Sequence, residues 1–310
     1  MEIKEHLTGG DPSRLDQRSL GQFIRDLWLL MKPELTLRSV FTSLGSAYLA
    51  INVPHESQLI VFPLLALGTL LVGGGSGALN QFIERDLDRI MKRTEQRPIP
   101  DSRINPSEAL VFGILVSVLG LGILSMINTL TAFLALMTFG SYIFLYTPLK
   151  RITPIATIIG AVPGALPTLI GWAAIQNSLS IPSLTLFAIL FYWQMPHFYS
   201  IGWLYRNDYS KAGYKLLTSI DSSGKKVAKQ ILTYQLILWG ISLSPAAVGL
   251  VSYGYVVVSC LISSIFLYYG IQFSRSLRND SSTASARKLF FSSLFFLPII
   301  FSAMIIFKIH

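Results

Sequence analysis

The residues best equipped for chemistry stand in three short stretches, each at the end of a long apolar run or inside one. The first is Asn80-Gln-Phe-Ile-Glu84-Arg-Asp86-Leu-Asp88-Arg89. Asn80, Glu84 and Asp88 are spaced i, i+4, i+8, so a continuous helix sets all three on one face. Carboxylates stacked in this way repel each other and destabilise a bare helix. A divalent cation removes that penalty. Mg2+ takes oxygen ligands, keeps several waters and is commonly shared with substrate phosphates. On spacing alone, a solvated helix end whose acids pair with Arg85 and Arg89 fits equally well. The continuation, Met91-Lys92-Arg93-Thr94-Glu95-Gln96-Arg97-Pro98, adds three cations. Acids for a metal beside bases for an anion suit a diphosphate, with Arg93 and Arg97 as the forked phosphate ligands. Arg85, Arg89, Lys92 and Arg103 read as ordinary topogenic cations.

The second stretch is Tyr146-Thr-Pro-Leu-Lys150-Arg151, a phenol and two cations at the end of another apolar run. Aromatic-belt and topogenic roles would explain it too. The third is Trp193-Gln194-Met195-Pro196-His197-Phe198-Tyr199. Pro196 is expected to break or kink its helix, freeing backbone groups that must be satisfied inside protein. A histidine inside a membrane span is a functional candidate by default. The bland alternative has His197 hydrogen-bonded to a freed carbonyl. Downstream, Asp208 is placed to face Glu84 and Asp88 as a further metal ligand, or else to pair with Arg206 or Lys211. Gly73-Gly74-Gly75-Ser76-Gly77 lacks the Lys-Ser/Thr of a phosphate loop and reads as a surface for close helix packing. Arg38 stands alone in an apolar run, with snorkelling to the interface as the simplest reading.

The elements that must position these residues follow from composition. The chain has 310 residues, is 52% hydrophobic and only 13% charged. Its mean hydropathy is +0.54. A soluble domain carries about 25% charged residues, so a soluble enzyme and a disordered chain are both excluded. The single cysteine, Cys260, excludes a disulfide framework and a cysteine-based metal cluster. Apolar stretches long enough to cross a bilayer lie at roughly 35–53, 59–81, 107–127, 129–147, 153–176, 183–204, 230–250, 253–274 and 289–308. An all-α membrane protein with nine transmembrane helices is therefore expected. With these spans, 23 of the 25 lysines and arginines fall in the N-terminal arm and the loops after the even spans. The positive-inside rule then places the N-terminus, and the loops at about 82–105 and 205–229, on the cytoplasmic or matrix side. The net charge of +9 is a topology signal, and nucleic acid is not invoked.

Residues 1–34 read as a cytoplasmic arm ending in an amphipathic stretch. Residues 35–310 read as one membrane domain with working loops at about 82–105 and 205–229. Nothing in the arm resembles a signal peptide. Its acids, Glu2, Glu5, Asp11 and Asp16, are unlike a transit peptide. A bacterial inner membrane is the expected location.

Together the motifs resemble the UbiA superfamily of intramembrane prenyltransferases. Asn80-x3-Glu84-x-Asp86-x-Asp88 with Met91-x-Arg93-Thr94-x2-Arg97-Pro98 is similar to its first acidic motif. Tyr146 and Lys150 match its Tyr-x3-Lys element. Gly160-x3-Gly164-Ala165-x-Pro167-x2-Ile170-Gly171-Trp172 resembles the fifth span of the haem-farnesylating branch. Trp193-Gln194-x-Pro196-His197-Phe198 with Asp208-Tyr209-x2-Ala212-Gly213 resembles that branch's sixth span and second motif. The likeness covers about residues 30–275. Two departures stand out: Glu84 replaces the usual Asp, and Asn207 precedes a single clear acid, Asp208.

The resemblance implies a nine-helix bundle that ionises farnesyl diphosphate and joins the farnesyl group to a vinyl of haem B, with water added to give haem O. It implies Mg2+ held by Asn80, Glu84, Asp88 and Asp208. Arg93, Arg97 and Lys150 would neutralise the leaving diphosphate, with Tyr146 as a hydrogen-bond donor. His197 is the candidate to hold haem. The lipid bilayer is the working environment, and a haem A-forming enzyme is a partner that such a product allows. A UbiA-type enzyme acting on an aromatic quinone precursor, or a secondary transporter with an intramembrane ion site, are the competing readings.

Overall fold

The computed structural model describes residues 19–53, 55–277 and 281–309. The arm's Lys4, Arg14 and Arg18, its four acids, and Arg278 lie outside the described residues. Among the described residues the chain is helical, and one isolated bridge joins Val251 to Lys308.

The arm ends in α1, Leu20–Leu30, started by a capping box between Ser19 and Gln22. It exposes Leu20, Ile24 and Trp28 on one side and buries Asp26 and Leu30 on the other. An ion pair from Arg103 to Asp26 ties it to the loop that follows the first acidic motif. Arg103 is thus a structural strut and not a free surface cation.

Nine long helices follow in the nine expected regions: α2 (Pro33–Ala50), α3 (Val61–Asp88), α4 (Pro106–Ser125), α5 (Thr129–Leu149), α6 (Ala156–Gln176), α7 (Ile181–Leu204), then α10 (Lys225–Ile241), α12 (Gly254–Ser276) and α13 (Ser282–Ile306). Short pieces lie between them: α8 (Arg206–Lys211), α9 (Leu217–Ile220) and α11 (Ser244–Ala247). Of the nine, α3, α4, α5, α6, α12 and α13 are long and apolar enough to cross a membrane. The other three carry polar residues: α2 has Glu34 and Arg38, α7 has Gln194 and His197, and α10 opens on Lys225 and Lys226.

Several boundaries and one expected break differ: α3, for one, ends at Asp88, seven residues beyond 81. The seventh helix runs Lys225–Ile241 and not 230–250, because the chain turns before Pro245, which opens α11. The ninth starts at Ser282, seven residues early. Pro196 does not break α7, which runs through it from Ile181 to Leu204. Buried Trp193, Met195, Tyr199 and Trp203 brace that stretch from several sides.

The most consequential feature is the length of α3. Its 28 residues span about 42 Å at 1.5 Å per residue. The hydrocarbon core is only about 30 Å thick. The helix is therefore longer than that layer is thick, and its polar last turns carry Glu84 and Asp88. The glycine run in α3 packs closely, as its composition suggests. A Cβ on Gly75 would meet Ser117 Oγ and the Gly113 carbonyl of α4, and one on Gly77 would sit 3.1 Å from the Met31 carbonyl. Between α2 and α6 the approach is closer still: a Cβ on Gly171 would overlap the Ser43 carbonyl. The helices α2 to α6 form one packed group, and α7, α10, α12 and α13 form another joined to it through α6 and α7. The two groups meet only lightly between α2 and α13.

Candidate active site

At the loop-bearing end of α3, three cations stand on three of the four expected metal ligands, one on each. Lys32 Nζ donates to Asn80 Oδ1. Lys150 Nζ pairs with Glu84 Oε1. Arg97 Nη1 donates to Asp88 Oδ2 at 2.6 Å. Each cation comes from a different place: Lys32 from the turn before α2, Lys150 from the end of α5, and Arg97 from the loop after α3. The side chains of Asn80, Glu84 and Asp88 are all buried, so each needs its partner.

Local geometry fixes these contacts. Lys32 caps α2 with φ 49°, an uncommon conformation for a residue with a Cβ. Asn80 Nδ2 donates to Thr147 Oγ1 at 3.0 Å, which turns its Oδ1 toward Lys32. Thr94 Oγ1 donates to the Asp88 carbonyl at 2.9 Å and folds the loop so that Arg97 reaches back. Tyr146 closes a π-helical turn, Ser141–Tyr146, inside α5. Such turns frequently mark functional sites. Lys150 Nζ lies 4.9 Å from the Tyr146 ring centre and 5.4 Å from that of Tyr214.

The loop after α7 covers this cluster. Lys215 N donates to the Lys150 carbonyl at 2.9 Å. Tyr214 hydrogen-bonds Glu84, and burial followed by the Glu84 charge pushes its phenol up. Arg93 lies 4.7 Å from the Tyr209 ring centre and 5.5 Å from that of Tyr205. It clamps the two loops together and stands apart from the acids. Asp208 is half-buried on α8 and makes no ion pair among the described residues, so the suggested bridges to Arg206 or Lys211 are absent. Arg206 donates instead to the Trp203 carbonyl. Burial, and next the nearby Arg97, pull the Lys32 ammonium down to about 7.

The cluster opens on a cavity of about 240 Å³ between α2, α3, α5, α6 and α7. Its rim is Lys32 and Tyr146, and its depth holds Gln194, Trp193 and His197. A Cβ on Gly160 would strike the Tyr146 ring, so glycine there is what lets that ring pack. His197 lies between Trp193 and Phe290, each 5.1 Å away between ring centres. Its Nδ1 is 2.7 Å from Ser293 Oγ, and Ser293 gives its one proton to the Phe290 carbonyl. The ring therefore donates from Nδ1 and keeps the Nε2 lone pair.

Residues 39–295 match the UbiA prenyltransferase family. The chain belongs to that family. As a UbiA-family chain with six apolar helices long enough to cross a bilayer, it is an integral membrane protein. It is 39% identical over 293 residues to the protoheme IX farnesyltransferase of Solibacter usitatus, covering 91% of this chain and 98% of that one. Among solved structures, a digeranylgeranylglyceryl phosphate synthase superposes with a TM-score of 0.75 at 16% identity, over 91% of this chain and 97% of that one. A UbiA homologue from Archaeoglobus fulgidus bound to DMAPP and Mg2+ gives a TM-score of 0.65 at 15% identity, over 90% and 99%.

Within this UbiA-family site the structure brings together Asn80, Glu84, Asp88, Arg97, Lys150 and Tyr146. Arg93 and Asp208 lie on the covering layer, and His197 lies in the cavity. Among the described residues no three Asp, Glu, His or Cys side chains gather as a metal site. Two carboxylates and one carboxamide, Glu84, Asp88 and Asn80, lie buried along α3 instead. Asp88 Oδ1 is buried with no hydrogen-bond partner, an oxygen poised for a further positive ligand. These oxygen donors fit Mg2+. Sequence reasoning missed Lys32 and Tyr214. Lys32 falls among the cations of the N-terminal arm, and only its place beside Pro33 at a helix start sets it apart there.

Proposed function

We propose that the chain transfers the farnesyl group of farnesyl diphosphate to a vinyl group of haem B, with addition of water, releasing diphosphate and haem O. The observation that carries this reading is the one-to-one pairing of Lys32, Lys150 and Arg97 with Asn80, Glu84 and Asp88 at the mouth of an apolar cavity. Those six groups are complementary to a diphosphate and its counter-ion: the cations would meet phosphate oxygens, and the oxygens of Asn80, Glu84 and Asp88 would hold the metal. The names of relatives such as the Solibacter usitatus enzyme point to haem as acceptor.

Asn80, Glu84 and Asp88, with Asp208 of α8, would hold Mg2+, whose charge would offset that of the leaving diphosphate. Lys32, Lys150 and Arg97 stabilise the same developing anion with preorganised donors. Tyr146 donates to it from the cavity rim, and Arg93 holds the covering loop in place. Carbon–oxygen cleavage gives an allylic cation, and the Trp193-lined apolar wall shields it from premature water. The vinyl carbon attacks that cation, and water captures the cation that results. His197, with its Nε2 lone pair free and its ring fixed by Ser293, holds the haem. The site faces the cytoplasm of a bacterial inner membrane with all nine long helices spanning. A haem A-forming enzyme is the partner that this product calls for.

The test is a product assay on purified protein with haem B, farnesyl diphosphate and Mg2+, read by mass. Haem O that requires metal and intact Asp88 is the expected result. Prenylation of an aromatic acceptor without haem O would move the chain to another branch of the family. Unchanged activity and haem affinity in His197→Ala would remove the haem role of that residue.

A further inference from the structure

Arg38 is not explained by diphosphate chemistry. It lies six residues beyond Lys32, about 9 Å deeper along the membrane at 1.5 Å per residue. It lines the central cavity, and it also lines a second hollow of about 280 Å³ with Leu37, Phe41, Leu294 and Pro298. The two hollows share Arg38, Trp193 and Leu297 and lie where α2 and α13 touch only lightly. Together they form an opening on the flank of the site between α2 and α13. Neither α7 nor α13 contains an aspartate or glutamate. The nearest acid on α2 is Glu34, one turn toward the loops, and Arg38 makes no ion pair with it. A guanidinium at this depth is costly unless something anionic meets it.

The central cavity is smaller than the roughly 300–1,000 Å³ of most ligand sites. A large flat acceptor must therefore extend from it into the opening beside Arg38. We infer that Arg38 binds a carboxylate of the apolar acceptor, a propionate where the acceptor is haem B, and thereby aims the opposite, vinyl-bearing edge of the macrocycle at the acid–cation cluster. This rests on the haem reading above. The chemistry is a forked guanidinium–carboxylate pair in a water-poor opening. The macrocycle's apolar faces suit Trp193, Leu297 and Phe41.

The test compares haem B with its dimethyl ester, which keeps both vinyl groups and loses both carboxylates. Wild type, Arg38→Leu and Arg38→Lys are assayed in discs of uncharged lipid, with Mg2+ and farnesyl diphosphate. Arg38→Leu raises KM for haem B by roughly 10- to 100-fold, the scale of one lost charged hydrogen bond. KM for farnesyl diphosphate stays at the wild-type value, and Arg38→Lys recovers part of the loss. Wild type handles the ester as poorly as Arg38→Leu handles haem B, and the substitution costs nothing further with the ester. Equal KM values for haem B and its ester in wild type overturn the inference without any variant. So does an equal loss for acid and ester in Arg38→Leu, or an effect that appears only with anionic lipid, which would assign the arginine to a lipid phosphate. Wild type that ionises farnesyl diphosphate but makes no haem O overturns the acceptor reading itself, and this inference with it.

Discussion

Removing Arg97 while leaving Asp88 in place isolates the central pairing of the site. Asp88 is 1% exposed, and Arg97 is its ion-pair partner at 2.6 Å. Its other oxygen, Oδ1, has no hydrogen-bond partner. Arg97→Leu therefore strands a buried carboxylate. Breaking a buried pair on one side costs roughly 3–5 kcal/mol. The Arg97 side chain is 25% exposed, so entering water relieves part of this, and about 3 kcal/mol is expected. The double variant Arg97→Leu/Asp88→Asn carries no stranded charge and regains most of that stability. The double-mutant cycle should show a coupling of about 2 kcal/mol or more. Activity behaves differently. Both variants lose a group that acts on the diphosphate, so each falls roughly 10²–10³-fold in kcat. The assay pairs thermal unfolding in detergent with EDTA and no substrate, where the direct ion pair operates, with product formation in Mg2+. A single variant that melts like wild type would show that the pair contributes nothing. A double variant that regains activity along with stability would show that these residues serve the fold and not the chemistry.

Lys32→Met should raise KM for farnesyl diphosphate roughly 10- to 100-fold, from one lost charged contact, while the haem KM stays unchanged; steady-state kinetics against each substrate checks this. Gly171→Val should destabilise by about 1–3 kcal/mol, because its Cβ meets the Ser43 backbone and no side chain can step aside. Gly122→Ala, where a Cβ meets nothing within 4 Å, is the control and should melt like wild type. Asp221 anchors the start of α10, accepting from the amides of Lys226 and Val227 at 2.8 and 3.0 Å. Burial raises its pKa, but those amides and the Ser223 hydroxyl outweigh it and hold the carboxyl below the usual range. Its contribution is thus present above the unfolded value of about 3.9 and lost as pH falls through the folded one. Asp221→Ala should cost about 1 kcal/mol at pH 7 and nothing at strongly acid pH, as read by melting the two proteins side by side. An equal loss at both pH values would refute the capping role.

The amino-acid sequence by itself determined what depends on short-range periodicity and on the bilayer. Apolar runs located the regions of all nine long helices, six of which are long and apolar enough to cross a membrane. The i, i+4, i+8 spacing of Asn80, Glu84 and Asp88 put three oxygen-bearing side chains on one helical face, and α3 keeps them there. His197 was legible as a polar group in an apolar segment. Local stops were harder to read. Pro245 ends a helix region and Pro196 does not, because packing around each proline decides whether freed backbone groups can be held.

Only tertiary structure decided which cation meets which acid. Lys32 and Asn80 are 48 residues apart, and no spacing rule connects them. Arg93 and Arg97 look equivalent in sequence, yet one packs on Tyr209 and the other binds Asp88. Tyr214 reaches Glu84 from a loop that nothing in its own sequence directs there. Arg38 has the look of a snorkelling cation until α7 and α13 come against α2 and present walls without an acid. A helix fixes the relative angle of its own side chains through hydrogen bonds four residues long. The pairing of charges across helices is set instead by which helices can approach, and small residues such as Gly75, Gly160 and Gly171 permit that approach only in the folded bundle.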